Sequence, residues 1–172
     1  MIANLLTGIR LLLIVPLVLL ILELETSSSV ALLMVLIVAI ATDYFDGIVA
    51  RRMNTASAQG QLFDHGTDFL FVTSGLFAVA STGLITVWLP VAIVIAFSQY
   101  VLDSYFLYRQ KQLRMSFLGR WNGVFYFTPL LLLALGLVIE IDVAMLLAWL
   151  AWLLLVSTVA SIGDRLLAPL RH

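Results

Sequence analysis

The chain of 172 residues contains no cysteine. It can therefore hold neither a disulfide framework nor a thiolate metal site. Charge is scarce too: 11% of residues are Asp, Glu, Lys or Arg, against 63% hydrophobic. A soluble domain of this size could not hide so much apolar surface. The mean hydropathy is +1.12, and the apolar residues gather into about six runs of the length that crosses a hydrocarbon core. No small-residue cleavage site follows the first run and further runs come after it, so it does not read as a removable signal peptide. An internal repeat and a second domain are also missing, which leaves one membrane-embedded domain over residues 1–172. The formal net charge of −1 says little by itself about partners, and no nucleic-acid partner is expected. The expected fold is an all-α integral membrane protein with six transmembrane helices.

What is present sorts cleanly along the chain. The spans fall at residues 9–23, from 30 into an acid-rich segment, then 60–80, 84–108, 121–139 and 143–162, with Pro16 a tolerated kink in the first. In this topology Arg10, Arg51, Arg52, Arg109, Lys111, Arg114, Arg120, Arg165 and Arg171 all lie on one side. The opposite turns carry Glu23, Glu25, Glu140 and Asp142 and no base. The positive-inside tendency makes the basic side cytoplasmic. Both termini then face the cytoplasm, and the protein belongs in the cell's inner, cytoplasmic membrane.

The acids that remain are concentrated in one place. Asp43, Asp46, Asp64 and Asp68 fall within 26 residues, at the cytoplasmic ends of spans 2 and 3. A charge at mid-bilayer costs about 2.5–3.5 kcal/mol on insertion scales, so such a group needs a counter-charge and a reason to be there. On a helix Asp43 and Asp46 are three apart and Asp64 and Asp68 four apart, so each pair shares a face. Two such faces brought together make an oxygen-rich cage, the donor type that hard cations such as Mg2+ take together with substrate phosphates. Paired cations beside a basic loop suit displacement at a diphosphate, with a spare carboxylate to take a proton from an incoming hydroxyl. Gly47 and Gly60 permit close approach to the backbone, and Arg51 can grip phosphate oxygens with two parallel bonds.

These residues resemble the signature of the CDP-alcohol phosphatidyltransferases: Asp, two residues, Asp-Gly, two residues, Ala-Arg, eight residues, Gly, three residues, Asp, three residues, Asp. Asp43, Asp46, Gly47, Ala50, Arg51, Gly60, Asp64 and Asp68 occupy all eight fixed positions without a change of spacing. The resemblance implies a homodimeric helical enzyme that transfers a phosphatidyl group from CDP-diacylglycerol to a small alcohol or phosphorylated alcohol and releases CMP. It implies a two-metal site for Mg2+ or Mn2+ held by Asp43, Asp46, Asp64 and Asp68, with Asp68 also the general base. Gly47, Ala50, Arg51, Ser57 and Gly60, with Asn4 and Thr7 of the N-terminus, are then the contacts to the CDP-lipid. Membrane lipid is the expected surrounding partner.

The acceptor is less closely specified. Family members that make phosphatidylglycerol phosphate commonly carry a small or proline-containing step before the last Asp and a Lys after it, whereas here His65, Gly66 and Thr67 precede Asp68 and Phe69 follows. The opening Asn4, Leu5, Leu6, Thr7, Gly8, Ile9, Arg10 is similar to the glycerol phosphate and cardiolipin branches. The lean is therefore to glycerol-3-phosphate, with inositol, inositol phosphate, serine or phosphatidylglycerol as alternatives. Arg109, Arg114 and Arg120 are the candidate cations for an acceptor phosphate. His65 is read as packing or facing water rather than binding metal, and Asp103 as either a helix contact or a pocket lining. Ser74, Gly75, Ala78 and Ala80 suit close helix approach. A divalent-cation carrier without enzymatic activity is the rival of another class, but it needs acids along a transmembrane path and spans 5 and 6 contain none inside.

Overall fold

The computed structural model describes residues 2–52, 58–102 and 117–167, of which the side chains of 2–6, 26, 46–52, 58–62, 117–118, 120 and 167 stand outside the description. Every regular element among the described residues is helical: α1 (Ile2–Glu23), α2 (Ser29–Arg52), α3 (Ala58–Ser81), α4 (Trp88–Leu102), α5 (Phe117–Phe125), α6 (Thr128–Val138) and α7 (Ala144–Leu167), with a 3-10 turn at Thr26–Ser28. The segment expected as one span over 121–139 is broken at Tyr126 and Phe127, after which Pro129 opens α6. Proline fits a first helical turn because its missing N–H has no partner to lose there. The backbone still bonds across the break, Tyr126 N–H to Asn122 and Leu131 N–H to Phe127. The two pieces thus act as one rod, and six rods result.

The other boundaries follow from local chemistry. Gly83 closes α3 with φ of 82°, its N–H donating to the Ala80 carbonyl, a left-handed position that suits a residue without Cβ. Asp142 accepts from the Ala144 N–H at 2.9 Å and so satisfies one of the orphan donors at the start of α7. Two expectations shift at the basic end. Arg51 and Arg52 finish α2 rather than starting a loop, and α7 runs on to Leu167 where a polar tail was expected from residue 163.

Helix α1 packs along both α2 and α3, while α2 and α3 barely touch each other along their described lengths. The inward face of α1 carries Thr7, Arg10, Leu17 and Ile21; that of α2 carries Leu32, Leu36 and Ala39; that of α3 carries Phe71, Leu76 and Val79. The spacing of three and four residues is the helical repeat. Opposite faces are apolar as well: Leu12, Val15 and Leu19 on α1 and Met145, Trp149 and Leu153 on α7 are exposed. Two segments, Trp121–Val138 and Ala144–Leu166, are long and apolar enough to cross a membrane by length and composition. The second half of the chain packs α4 and α5 against α7, and α6 returns to α2. Gly136 allows the α6–α7 corner its closeness, since a Cβ there would meet the Val143 side chain at 2.7 Å.

Candidate active site

The three inner stripes change character at one end of the bundle. On α2, Asp43 continues the row Leu32, Leu36, Ala39, and on α3, Asp64 and Asp68 precede Phe71 and Gly75 on the same row. On α1 the matching level is Arg10. Its side chain is 1% exposed, and its guanidinium meets all three acids: Nη2 stands 3.3 Å from Asp43, and Nη1 stands 3.3 Å from Asp64 and contacts Asp68 more closely still. Acids from two helices are thus drawn together by a base from a third. The acids themselves remain between 25% and 47% exposed, so the cluster is open on the side away from Arg10.

On that open side lies a cavity of about 630 Å3, within the range of small-molecule sites. Asp43, His65 and Asp68 line it. Tyr100 of α4, Tyr126 beside α6, Ser161 and Arg165 of α7, and Phe69, Phe97 and Ile93 also line it. The Arg165 guanidinium lies 5.1 Å from the Tyr100 ring centre, a cation–π distance that orients it. Phe69 and Phe97 stack at 4.0 Å and tie α3 to α4. The far wall is held by neutral hydrogen bonds. Ser157 donates to Asn122 at 2.7 Å, and Thr158 donates to the Leu154 carbonyl, which leaves the Tyr126 hydroxyl to donate to Thr158 at 2.8 Å.

The donor set suits a hard divalent cation. Three carboxylates around one guanidinium keep the cluster net negative, and ligand atoms of Asp64, His65 and Asp68 lie within 4.8 Å of one another. Carboxylate oxygens are the ligands that Mg2+ or Mn2+ takes.

A family profile described as CDP-alcohol phosphatidyltransferase matches residues 1–159, nearly the whole chain. The chain belongs to the CDP-alcohol phosphatidyltransferase family. None of the curated proteins compared with it matches it. As a family member it is a phosphotransferase acting on substituted phosphate groups. CDP-alcohol phosphatidyltransferases use a CDP-alcohol donor and an alcohol acceptor, depend in general on a divalent metal, are membrane proteins and serve phospholipid biosynthesis.

Of the residues expected at the site, Asp43, Asp64 and Asp68 are brought together. Thr7 is buried one helical turn before Arg10 on α1. Asp46, Gly47, Ala50 and Arg51 lie on the last turns of α2, Gly60 on the first turn of α3, Asn4 on α1 and Arg120 on α5, their side chains outside the description. Ser57, Asp103, Arg109 and Arg114 fall outside the described residues altogether. His65 lines the cavity together with Asp43 and Asp68, and its ligand atoms lie within 4.8 Å of those of Asp64 and Asp68. Two site residues escaped sequence reasoning. Arg10 was counted with the bases that mark one membrane face, yet it is buried. Arg165 was also counted only for topology, yet it is the one Lys or Arg lining the cavity among the described residues. The clue for Arg10 was its place three residues after Thr7, which puts both on one face.

Proposed function

We propose that the chain is a single membrane-embedded domain, spanning the bilayer six times with both termini cytoplasmic, that transfers the phosphatidyl group of CDP-diacylglycerol to an alcohol and releases CMP. The observation that carries this reading is the convergence of Asp43, Asp64 and Asp68 on Arg10, beside a cavity lined by Asp43, Asp68 and Arg165. Apolar residues exposed around the bundle, Met145 at 75% and Trp149 at 67% among them, support a lipid surround. Arg10 and Arg165, which lie at the acids and on their cavity, and the one-sided placement of the bases along the sequence support an active site facing the cytoplasm.

Asp43, Asp46, Asp64 and Asp68 would hold Mg2+ or Mn2+ as a two-metal site, with His65 close enough to contribute. When bound, the cations neutralise the diphosphate and its leaving oxygen. The residues of the chain then do the rest. Asp68 faces the cavity and takes the proton from the acceptor hydroxyl as its oxygen bonds to the diacylglycerol-bearing phosphorus. The bond from that phosphorus to the bridging oxygen breaks, and CMP leaves with its electron pair. Arg51, with Gly47, Ala50, Ser57, Gly60, Asn4 and Thr7, is the set for the CDP-lipid. Arg165 joins Arg109, Arg114 and Arg120 as a cation for a phosphorylated acceptor, and this favours glycerol-3-phosphate. A second copy of the chain completes the assembly as a homodimer.

The test is to incubate purified protein and CDP-diacylglycerol with glycerol-3-phosphate, inositol, inositol phosphate, serine or phosphatidylglycerol, reading CMP and the lipid product by mass. Acceptor-dependent CMP release with a matching lipid mass is expected. No CMP with any acceptor in the presence of Mg2+ or Mn2+ overturns the reading.

A further inference from the structure

A fully buried arginine in the middle of an acid cluster is an unusual tenant for a cation site. Arg10 is 0% exposed, and a charge that deep is kept only when it is paired. Its pairing is divided in an informative way. Nη2 serves Asp43 of α2, and Nη1 serves Asp64 and Asp68 of α3. It meets one oxygen, Oδ1, of each acid. Nε and Nη2 have no hydrogen-bond partner, so the guanidinium is held by the Nη1 bonds to Asp64 and Asp68 and by the ion pair with Asp43. Since α2 and α3 barely touch each other along their described lengths, this one side chain, which pairs with acids of both, is an electrostatic tie between the two acid-bearing helices beside the direct Asp43–Asp68 contact.

We propose that Arg10 is a positioning residue of the metal site, a built-in counter-charge that holds the acids of α2 and α3 together when no metal is bound. It approaches from α1, is not among the residues that line the cavity, and takes one oxygen of each acid. It therefore competes electrostatically with an arriving cation without filling the cavity. The result is a cage that is assembled beforehand and binds its cations weakly enough to exchange them. Without Arg10 the acids lose their buried counter-charge, the metal-free protein loses this tie, and a divalent cation takes over as counter-charge. This inference rests on the reading of Asp43, Asp64 and Asp68 as metal ligands.

The test measures metal binding rather than turnover. MnCl2 is titrated into the metal-stripped full chain in detergent, following bound Mn2+ by its spin resonance and the unfolding temperature with and without saturating Mn2+. The parent, Arg10→Gln and Arg10→Lys are compared. Removing a unit positive charge beside the site tightens Mn2+ binding by about tenfold or more in Arg10→Gln. Its unfolding temperature drops most without metal, so its rise on adding Mn2+ exceeds that of the parent. Arg10→Lys, which keeps the charge, stays near the parent in affinity; if metal-free Arg10→Gln cannot be purified folded, its recovery as folded protein only in saturating Mn2+ supports the proposal and its failure to fold with or without Mn2+ overturns it. Were Arg10 only a packing element, both metal-free and metal-bound forms would lose the same stability at unchanged Mn2+ affinity, and that result overturns the proposal. A clear Mn2+ response in the parent with no change in either variant sinks the role of Arg10 alone. No Mn2+ response in the parent, with Asp64→Asn behaving identically, sinks the metal-site reading with it.

Discussion

The two walls of the cavity are built on opposite principles. On the α1–α3 side a charged guanidinium is surrounded by three acids drawn from separate helices. On the α4–α7 side Ser157, Asn122, Tyr126 and Thr158 form neutral hydrogen bonds, and the single described cation rests on an aromatic ring. A charged cluster suits a diphosphate and its metal, because electrostatic stabilisation is strongest where charges are fixed and water is sparse. A neutral wall with one oriented base suits recognition of a small polar acceptor, where a few placed groups give specificity. Under the proposed function, the reacting phosphorus belongs at the charged wall and the choice of acceptor at the neutral one.

The largest expected effect falls on the charged wall. Asp43→Ala or Asp68→Ala should reduce CMP release by about a hundredfold or more while the detergent-purified protein keeps its helical circular dichroism. Activity retained in either variant would erase the distinction between the walls. Nearly as large is metal removal: a chelator should stop CMP release, and added Mg2+ or Mn2+ should restore it. Restoration by neither ion would count against the cage.

Next comes the hydrophobic core that carries both walls. Leu147 of α7 is 0% exposed, and Leu147→Ala should cost about 2–5 kcal/mol in unfolding free energy, read by thermal unfolding in detergent. The neutral wall should respond in substrate terms. Arg165→Gln should raise the KM of a phosphorylated acceptor by about tenfold, the size of one lost charged contact, and leave the KM of CDP-diacylglycerol near its parent value. Equal rises in both would mean that the walls do not divide the labour. The smallest effect belongs to the outer surface: Trp149 is 67% exposed, and Trp149→Ala should change stability by under about 0.5 kcal/mol.

Much of this was visible without coordinates because it is local. Helical periodicity places Asp43 on the row of Leu36 and Ala39, and it places Asp64 and Asp68 on one face, since residues three and four apart must share a side. Helix ends were less legible. The bases at Arg51 and Arg52 read as a loop, but the backbone satisfies its own hydrogen bonds best by continuing α2 through them. The break at Tyr126 and Phe127 was hidden in an apolar run, because hydropathy records which solvent a segment prefers and not where its axis changes.

The sequence by itself determined the chemistry at the active end: four acids at helical spacing, a long apolar chain around them, and bases gathered on one side. Only the tertiary structure decided what counters those acids. Arg10 reaches Asp64 and Asp68 across separations of 54 and 58 residues, and Arg165 reaches the same cavity from the last helix. Spacing along one helix fixes which side chains share a face, but which faces meet depends on how six rods pack, and that is set by the summed contacts of the whole core.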